Sequence, residues 1–371
     1  MKKLLFISLA VVLALSVGLM GCEGEGEGPD VWDSEILLTI HPTISPFASI
    51  VQEVIDPWVA EVNALTGTDG GSFNLTIVSP GDAPFDAGSS LAALSIGTTD
   101  MGMLSPETFH LGGVGYLPFE FTDIEECAYV TYNLWTESPS WDVDGQMNGV
   151  KILITAPLWG SQLWTTELGG NVTVAADMSG LKIRSDAQAV ESATLQALGA
   201  VPTYLGVSEL AGQLETDAIE GCFFTYSGIG GAADLGPVTN YTTELNMIYR
   251  PYSIAMCKAS WDDLPTDAKT ALETVCGAEK SMEYAALHLL GQAEDREDTE
   301  TGPCVYMGPP PCVEKPEWGR PIHVADTSTF EAATASVASD WATYMTDDLG
   351  FDGAGILARI DALQIAWAAL P

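Results

Sequence analysis

Gly180-Leu181-Lys182-Ile183-Arg184 runs through Ser185 into Asp186 to Leu198, and the stretch closes on Gly199-Ala200-Val201-Pro202. Leu181 to Arg184 reads as a short strand. Asp186 to Leu198 contains neither Gly nor Pro and reads as a helix. A strand that turns directly into a helix is the unit from which α/β folds are built. The same alternation recurs outward in both directions. Ser34 to Ile40 carries Ile36, Leu38 and Ile40 in strand alternation, and Phe47 to Leu65 carries an apolar stripe at helical spacing, weakened in its middle by Pro57. Phe73 to Val78 is a strand, Ser79-Pro80-Gly81 a turn, Ser89 to Ile96 a helix and Thr99 to Leu104 a strand. Beyond the opening stretch, Lys151 to Ala156 is a strand on its N-terminal side. On its C-terminal side Ser208 caps a helix through Leu214, Met247 to Met256 is extended, and Thr266 to Val275 is helical. Met282 to Leu290 is an apolar helix. Residues 291–321 are polar and proline-rich, and they read as a surface excursion before two amphipathic helices, Thr329 to Met345 and Gly355 to Leu370. The fold class is α/β, with helices on the faces of sheets, and 371 residues suffice for about two domains.

The N-terminus reads as an address. Lys2 and Lys3 precede an apolar run from Leu4 to Leu19, broken by Ser8, Ser16 and Gly18, which is the pattern of a secretory signal over residues 1–21. Leu19-Met20-Gly21-Cys22 resembles a bacterial lipobox, so Cys22 is the expected lipidation site, and two or more acyl chains would hold the protein at a membrane. An uncleaved signal anchor or a soluble exported protein is the alternative. Residues 22–33, with Glu23-Gly24-Glu25-Gly26-Glu27-Gly28, form an acidic tether. The expected location is extracytoplasmic, periplasmic or cell-surface, on a lipid anchor.

The chain carries 51 Asp and Glu against 13 Lys and Arg, for a formal net charge of -38. That surface repels nucleic acid and anionic membrane faces alike. With Cys22 assigned to lipid, Cys127, Cys222, Cys257, Cys276, Cys304 and Cys312 remain, an even number that permits disulfides outside the cytoplasm. Cys304 with Cys312, bracketing a proline-rich turn, is the preferred pair, and Cys257 with Cys276 the weaker one. Four His residues without a Cys-x2-Cys repeat argue against zinc, and no cofactor is implied. Nucleophile elbows, phosphate loops and His-Glu-x-x-His are missing, so nothing marks an enzyme, although a secreted hydrolase stays as a rival reading.

Arginine is scarce: Arg184, Arg250, Arg296, Arg320 and Arg359 are the full set. Arg184 ends an apolar strand and needs an anionic partner. A ligand carboxylate held by the planar fork and an internal Asp or Glu are both open from the pattern alone.

Several stretches resemble the solute receptors of tripartite ATP-independent periplasmic (TRAP) transporters. They are Gly180 to Arg184 with Leu198 to Pro202, Leu94 to Gly102, Leu117-Pro118-Phe119, Leu214 to Gly221 and Trp261 to Pro265. They follow the family's order across most of residues 35 to 290. The resemblance implies a two-lobed periplasmic binding protein of type II-like α/β architecture with an interlobe ligand cleft. The implied first lobe is 34–158 with a return segment 250–290. The second is 159–249 with a C-terminal contribution from 291–371. It also implies capture of an organic acid and its delivery to small and large permease subunits, with no catalysis. A ligand-sensing or structural envelope lipoprotein is the alternative.

By the same resemblance Arg184 holds the ligand carboxylate. Gln162 stands near a position that is basic in some members, and Phe224 replaces an Asn. Trp159, Trp164 and Tyr226 are further ligand-binding candidates, and His41, Glu107 and Tyr204 approach from loops. One free cation and an aromatic wall imply a monocarboxylate with an uncharged or apolar remainder. Arg250 or Lys182 swinging into the cleft would supply a second charge, and a metal bridging ligand and Gln162 would alter the count.

Overall fold

The computed structural model describes residues 32–42, 50–78, 87–137, 145–158, 160–186, 189–229, 233–305 and 313–370. The signal, Cys22, Trp159 and the side chains of the Cys304–Cys312 pair lie outside the described residues.

Alternation of Leu38 and Ile40 inward with Leu37 outward makes strand β1, Glu35–His41. It pairs in parallel with β2 (Ser72–Ile77) and β3 (Met101–Leu104). Strand β4 (Val150–Leu158) and the returning β10 (Arg250–Cys257) complete a five-stranded sheet in the order β2-β1-β3-β10-β4. All eight residues of β10 are buried, because both faces of the sheet are covered.

The second sheet holds β5 (Gln162–Thr165), β6 (Lys182–Ser185), β7 (Val201–Tyr204), β8 (Gly221–Phe224), β9 (Tyr241–Glu244) and β13 (Ile322–Val324). Their order is β13-β9-β5-β8-β6-β7. The ribbon β11 (Cys304–Val305) and β12 (Val313–Glu314) stands apart. Two strand connections cross between the sheets, from β4 to β5 and from β9 back to β10, and the chain returns to the second sheet once more at β13. The two crossings run together, with the Ser161 N–H donating to the Ile248 carbonyl at 2.8 Å. These are two lobes with a paired-strand hinge.

Helix α1 (Asp56–Ala64) follows a π-turn over Val51–Ile55. Pro57 has no N–H to donate, so the ladder changes register there instead of breaking. Helix α2 is Ser90–Ser95. Helix α3 (Ile124–Thr136) starts on a reciprocal cap. Asp123 accepts the Glu126 N–H at 2.8 Å, and the Glu126 carboxylate accepts the Thr122 N–H at 2.6 Å. Helix α4 is Ala189–Ala197 and α5 is Val207–Glu215. The cap of α5 lies at Gly206, whose N–H reaches Glu209, and Ser208 sits inside the first turn, which corrects the Ser208 assignment. Helices α6 (Lys258–Asp262) and α7 (Thr266–Glu273) follow β10.

The expected helix over 282–290 is the middle of a much longer one. Helix α8 runs Ala278–Thr301, about 36 Å at 1.5 Å per residue. Its start is tied to the first lobe, where Ser281 accepts the Thr155 N–H at 2.9 Å. Its end is tied to the second, where Arg296 meets Glu244 at 2.8 Å. Gly291 looks like a terminator in sequence. In the fold it continues the helix, because the Glu53 carboxylate fills the space a Cβ would take. So the first part of the supposed excursion at 291–321 is a strut spanning both lobes. The expected helix 329–345 is two, α9 (Thr327–Thr334) and α10 (Val337–Asp347), followed by α11 (Gly353–Ala368). Helix α11 lies back against the first lobe, where Arg359 meets Glu137 at 2.5 Å.

Cys257 and Cys276 are free thiols, as are Cys127 and Cys222, which corrects the weaker disulfide assignment. Burial and neighbouring acids push the Glu120 and Asp295 carboxyls up to about 7. A carboxyl whose folded pKa exceeds its unfolded value binds extra protons in the native state. Its stabilising contribution is therefore lost as pH rises through the folded value. The melting temperature should fall by about 3 °C or more between pH 6.5 and 8.5. A flat profile in a thermal scan would show these carboxyls to be ordinary.

Candidate functional site

Strand β6 ends at the hinge side of the second lobe and places three polar residues in a row. Arg184, Ser185 and Asp186 are all buried, and α4 begins at Ala189. Arg184 is 6% exposed. Its Nε donates to the Leu205 carbonyl at 3.1 Å, and its terminal nitrogens have no hydrogen-bond partner among the described residues. A guanidinium stays charged at any physiological pH, and its planar fork has the geometry to accept an anion.

Arg250, at the first position of β10, is also 6% exposed, but its fork is filled. Nε lies 3.2 Å from Asp186, Nη2 lies 2.5 Å from Glu191, and Nη1 donates to the Ser161 hydroxyl. The Tyr116 ring stands 5.5 Å from the guanidinium. Burial lowers the Arg250 pKa, but Glu191 and Asp186 outweigh it and hold the charge on. Burial pushes the Glu191 carboxyl up to about 8, with Asp186 adding to the rise and Arg250 and Arg184 opposing it.

The first lobe contributes Glu107, just past β3. Burial raises its carboxyl, Asp186 raises it further, and Arg250 and Arg184 pull it down. Glu107 therefore lies in the field of both Arg184, from the second lobe, and Arg250, from the first. Nearby, the buried Tyr116 hydroxyl has no partner among the described residues. Two glycines shape this wall. A Cβ on Gly112 would strike the Pro106 carbonyl, and one on Gly115 would strike the Pro251 ring beside Arg250. A crevice of about 200 Å³ lies between Glu107, His110 and Gln146 of the first lobe and Val190 of the second, beside Trp341 and Tyr344 of α10, and neither Arg184 nor Arg250 lines it.

The other residues singled out in sequence sit differently. Gln162 is buried, and both ends of its amide are engaged. It donates to Gly160 and Asn246 at 2.7 and 2.6 Å, and accepts the Leu245 and Asn246 N–H groups at 2.8 and 3.3 Å. It clips one crossing segment to the other. Trp164 is enclosed, donating to the Phe224 carbonyl at 3.3 Å, with Arg320 5.7 Å from its ring. The Tyr226 hydroxyl donates to Glu244 at 2.7 Å. Phe224 is half-buried at the end of β8, opposite Gln162. His41 is buried at the end of β1, Tyr204 is 71% exposed, and Lys182 is exposed at the far end of β6 from Ser185. So the fold groups Arg184, Glu107 and Arg250, whereas Gln162, Trp164 and Tyr226 are tied into backbone and ion pairs. Asp186, Glu191, Ser161 and Tyr116 were missed in sequence. The available signal was Arg250 itself, a lone cation in the apolar stretch 247–256 that demands buried acids.

Among the described residues no group of three or more His, Cys, Asp or Glu is placed to hold a metal ion.

Residues 51–299 match the family model of bacterial extracellular solute-binding proteins, family 7, DctP. The chain belongs to this family. Its members are solute-binding proteins rather than enzymes. The C4-dicarboxylate-binding periplasmic protein DctP of Rhodobacter capsulatus is 27% identical over 197 residues. The match covers 53% of this chain and 58% of that relative's length. A TRAP solute binding protein from Rhodoferax ferrireducens, solved with copurified benzoate, superimposes with a TM-score of 0.74. It is 18% identical, over 89% of this chain and 98% of its own. A TRAP periplasmic solute binding protein from Bordetella bronchiseptica with bound (R)- and (S)-mandelate gives a TM-score of 0.71 at 19% identity, over 90% and 99% of the two chains. The two-lobed α/β receptor architecture of the DctP family is thus the fold of this chain.

Proposed function

We propose that this DctP-family protein is the extracytoplasmic receptor of a TRAP transporter, tethered through a lipid on Cys22. It captures an organic acid between its lobes and presents it to the small and large permease subunits. The observation that carries the reading is Arg184, buried at the interlobe end of β6 with its terminal nitrogens unclaimed among the described residues. The preferred ligand has one carboxylate and an uncharged or apolar remainder, such as a branched or aromatic 2-oxo or 2-hydroxy acid. Phe224 supplies an apolar side, and benzoate and mandelate occupy two structurally similar receptors. The C4-dicarboxylate-binding protein of Rhodobacter capsulatus favours a second reading, a C4-dicarboxylate, with Arg250 as the second cation. Against it stands the filled fork of Arg250.

The crossing strands form a hinge, and each lobe offers only part of the contact set, so ligand should close the cleft. Calorimetry on the unlipidated mature protein should find stoichiometric binding of monoacids without turnover. Solution scattering at saturation should give a smaller radius of gyration. No heat with any acid of the panel rejects the receptor reading, and an unchanged radius at saturation rejects closure.

A further inference from the structure

Two guanidinium groups stand at the interlobe face, and the fold treats them differently. Arg184 leaves its terminal nitrogens open, while every nitrogen of Arg250 that could face a ligand is held by Asp186, Glu191 or Ser161. The holding is rigid. Glu191 is fully buried, and its second oxygen accepts the Asp186 backbone N–H at 2.7 Å. The carboxylate is therefore held at both oxygens, by the Asp186 N–H and by Arg250. Asp186 itself stands two residues after Arg184 in the chain.

The geometry points to Asp186 and Glu191 as the residues that set the choice between acids with one carboxylate and acids with two. The inference rests on the organic-acid reading above and deepens it. A monoacid uses Arg184 alone. The second carboxylate of a diacid must take Arg250 from Glu191 and Asp186, or lie uncompensated beside them and Glu107. Desolvated like charges at such range are strongly repulsive. Asp186 and Glu191 act through Arg250 and are positioning residues, with no contact to the ligand required of them.

The test compares wild type with Glu191→Gln and Asp186→Asn, both near-isosteric. Benzoate, 4-methyl-2-oxopentanoate and succinate are titrated at pH 9, where the Glu191 carboxyl is ionised, and a melting curve is recorded for each protein. The ratio of succinate affinity to monoacid affinity should rise about 10-fold or more in each variant. The gain should vanish in the triple variant D186N/E191Q/R250M, which lacks the released cation. A purely structural role would lower both affinities together and leave the ratio alone. If wild type binds no acid, or prefers succinate, the monoacid reading itself has failed. If wild type prefers monoacids but the ratio is unmoved in both folded variants, the selection role alone is overturned. Loss of the fold in both variants also overturns it, since the carboxylates would then serve stability rather than choice.

Discussion

Arg184→Met should weaken monocarboxylate binding by about 100-fold or more while leaving the ligand-free protein at least as stable as wild type. A charge-assisted, two-pronged contact between guanidinium and carboxylate in a dry cleft contributes about 2–4 kcal/mol, and 2.8 kcal/mol is a factor of 100 in Kd. The stability side of the expectation follows from the bonding. Among the described residues the Arg184 side chain makes one hydrogen bond, through Nε, and its buried charge has no partner at the terminal nitrogens. Met fills a similar volume without that desolvation cost. Arg184→Lys should fall between, because the ammonium keeps the charge and loses the planar fork. Titration calorimetry with a branched 2-oxo acid and a melting curve on each protein decide the matter. Unchanged affinity in R184M would place the carboxylate elsewhere, and a large drop in melting temperature would make Arg184 a structural residue.

Arg250→Met should behave in the opposite way and cost about 3–5 kcal/mol of stability at pH 9. Here the cation is paired, and its removal strands two buried carboxylates, Asp186 and Glu191. The penalty should shrink as pH falls. The Glu191 carboxyl titrates near 8 in the intact protein, with burial as the main cause and Arg250 holding it down. Deleting Arg250 removes that restraint, so protonation sets in at higher pH and relieves part of the strain below it. The group is one whose folded pKa lies above its unfolded value, so the stability it lends is present at low pH and lost on the alkaline side. Adding D186N and E191Q to R250M should recover most of the loss, because the triple variant buries amides in place of stranded charges. Denaturant unfolding of the three proteins at pH 6.5 and 9 measures each step. Equal stability of R250M and wild type at pH 9 would mean that the network is solvated.

The hinge and the site come from different kinds of information. The strands around 34–40, 73–78, 151–156 and 181–184 were legible because apolar runs end at Pro, Gly or a charged residue, and those ends coincide closely with β1, β2, β4 and β6. Strands β5, β8 and β9 were not read from the sequence. Helix α3 could have been found from Asp123-x-x-Glu126, the pattern of its reciprocal cap. Helix α8 could not have been followed past Gly291 by any local rule. What permits a glycine there is Glu53, which is 238 positions earlier in the chain.

The site divides along the same line. Sequence singled out Arg184 as a cation at the end of an apolar strand, and resemblance to the TRAP receptors assigned it the ligand. Local sequence could not assign the partners. From pattern alone an internal acid was as good a partner as a ligand for Arg184, and Arg250 was a cation inside the extended stretch 247–256. The fold separates them by bringing Asp186 and Glu191 to Arg250 and leaving Arg184 with a single carbonyl. The same holds for Gln162, whose amide is claimed by Asn246 and Leu245 across the second crossing. What the sequence by itself determined is what depends on neighbours along the chain: periodicity, caps, breaks, charge balance and the family order of motifs. Which charge meets which depends on distances of a few ångströms between residues 59 to 89 positions apart, and a hydrogen bond or ion pair exists only at that range, so only the tertiary structure decided it.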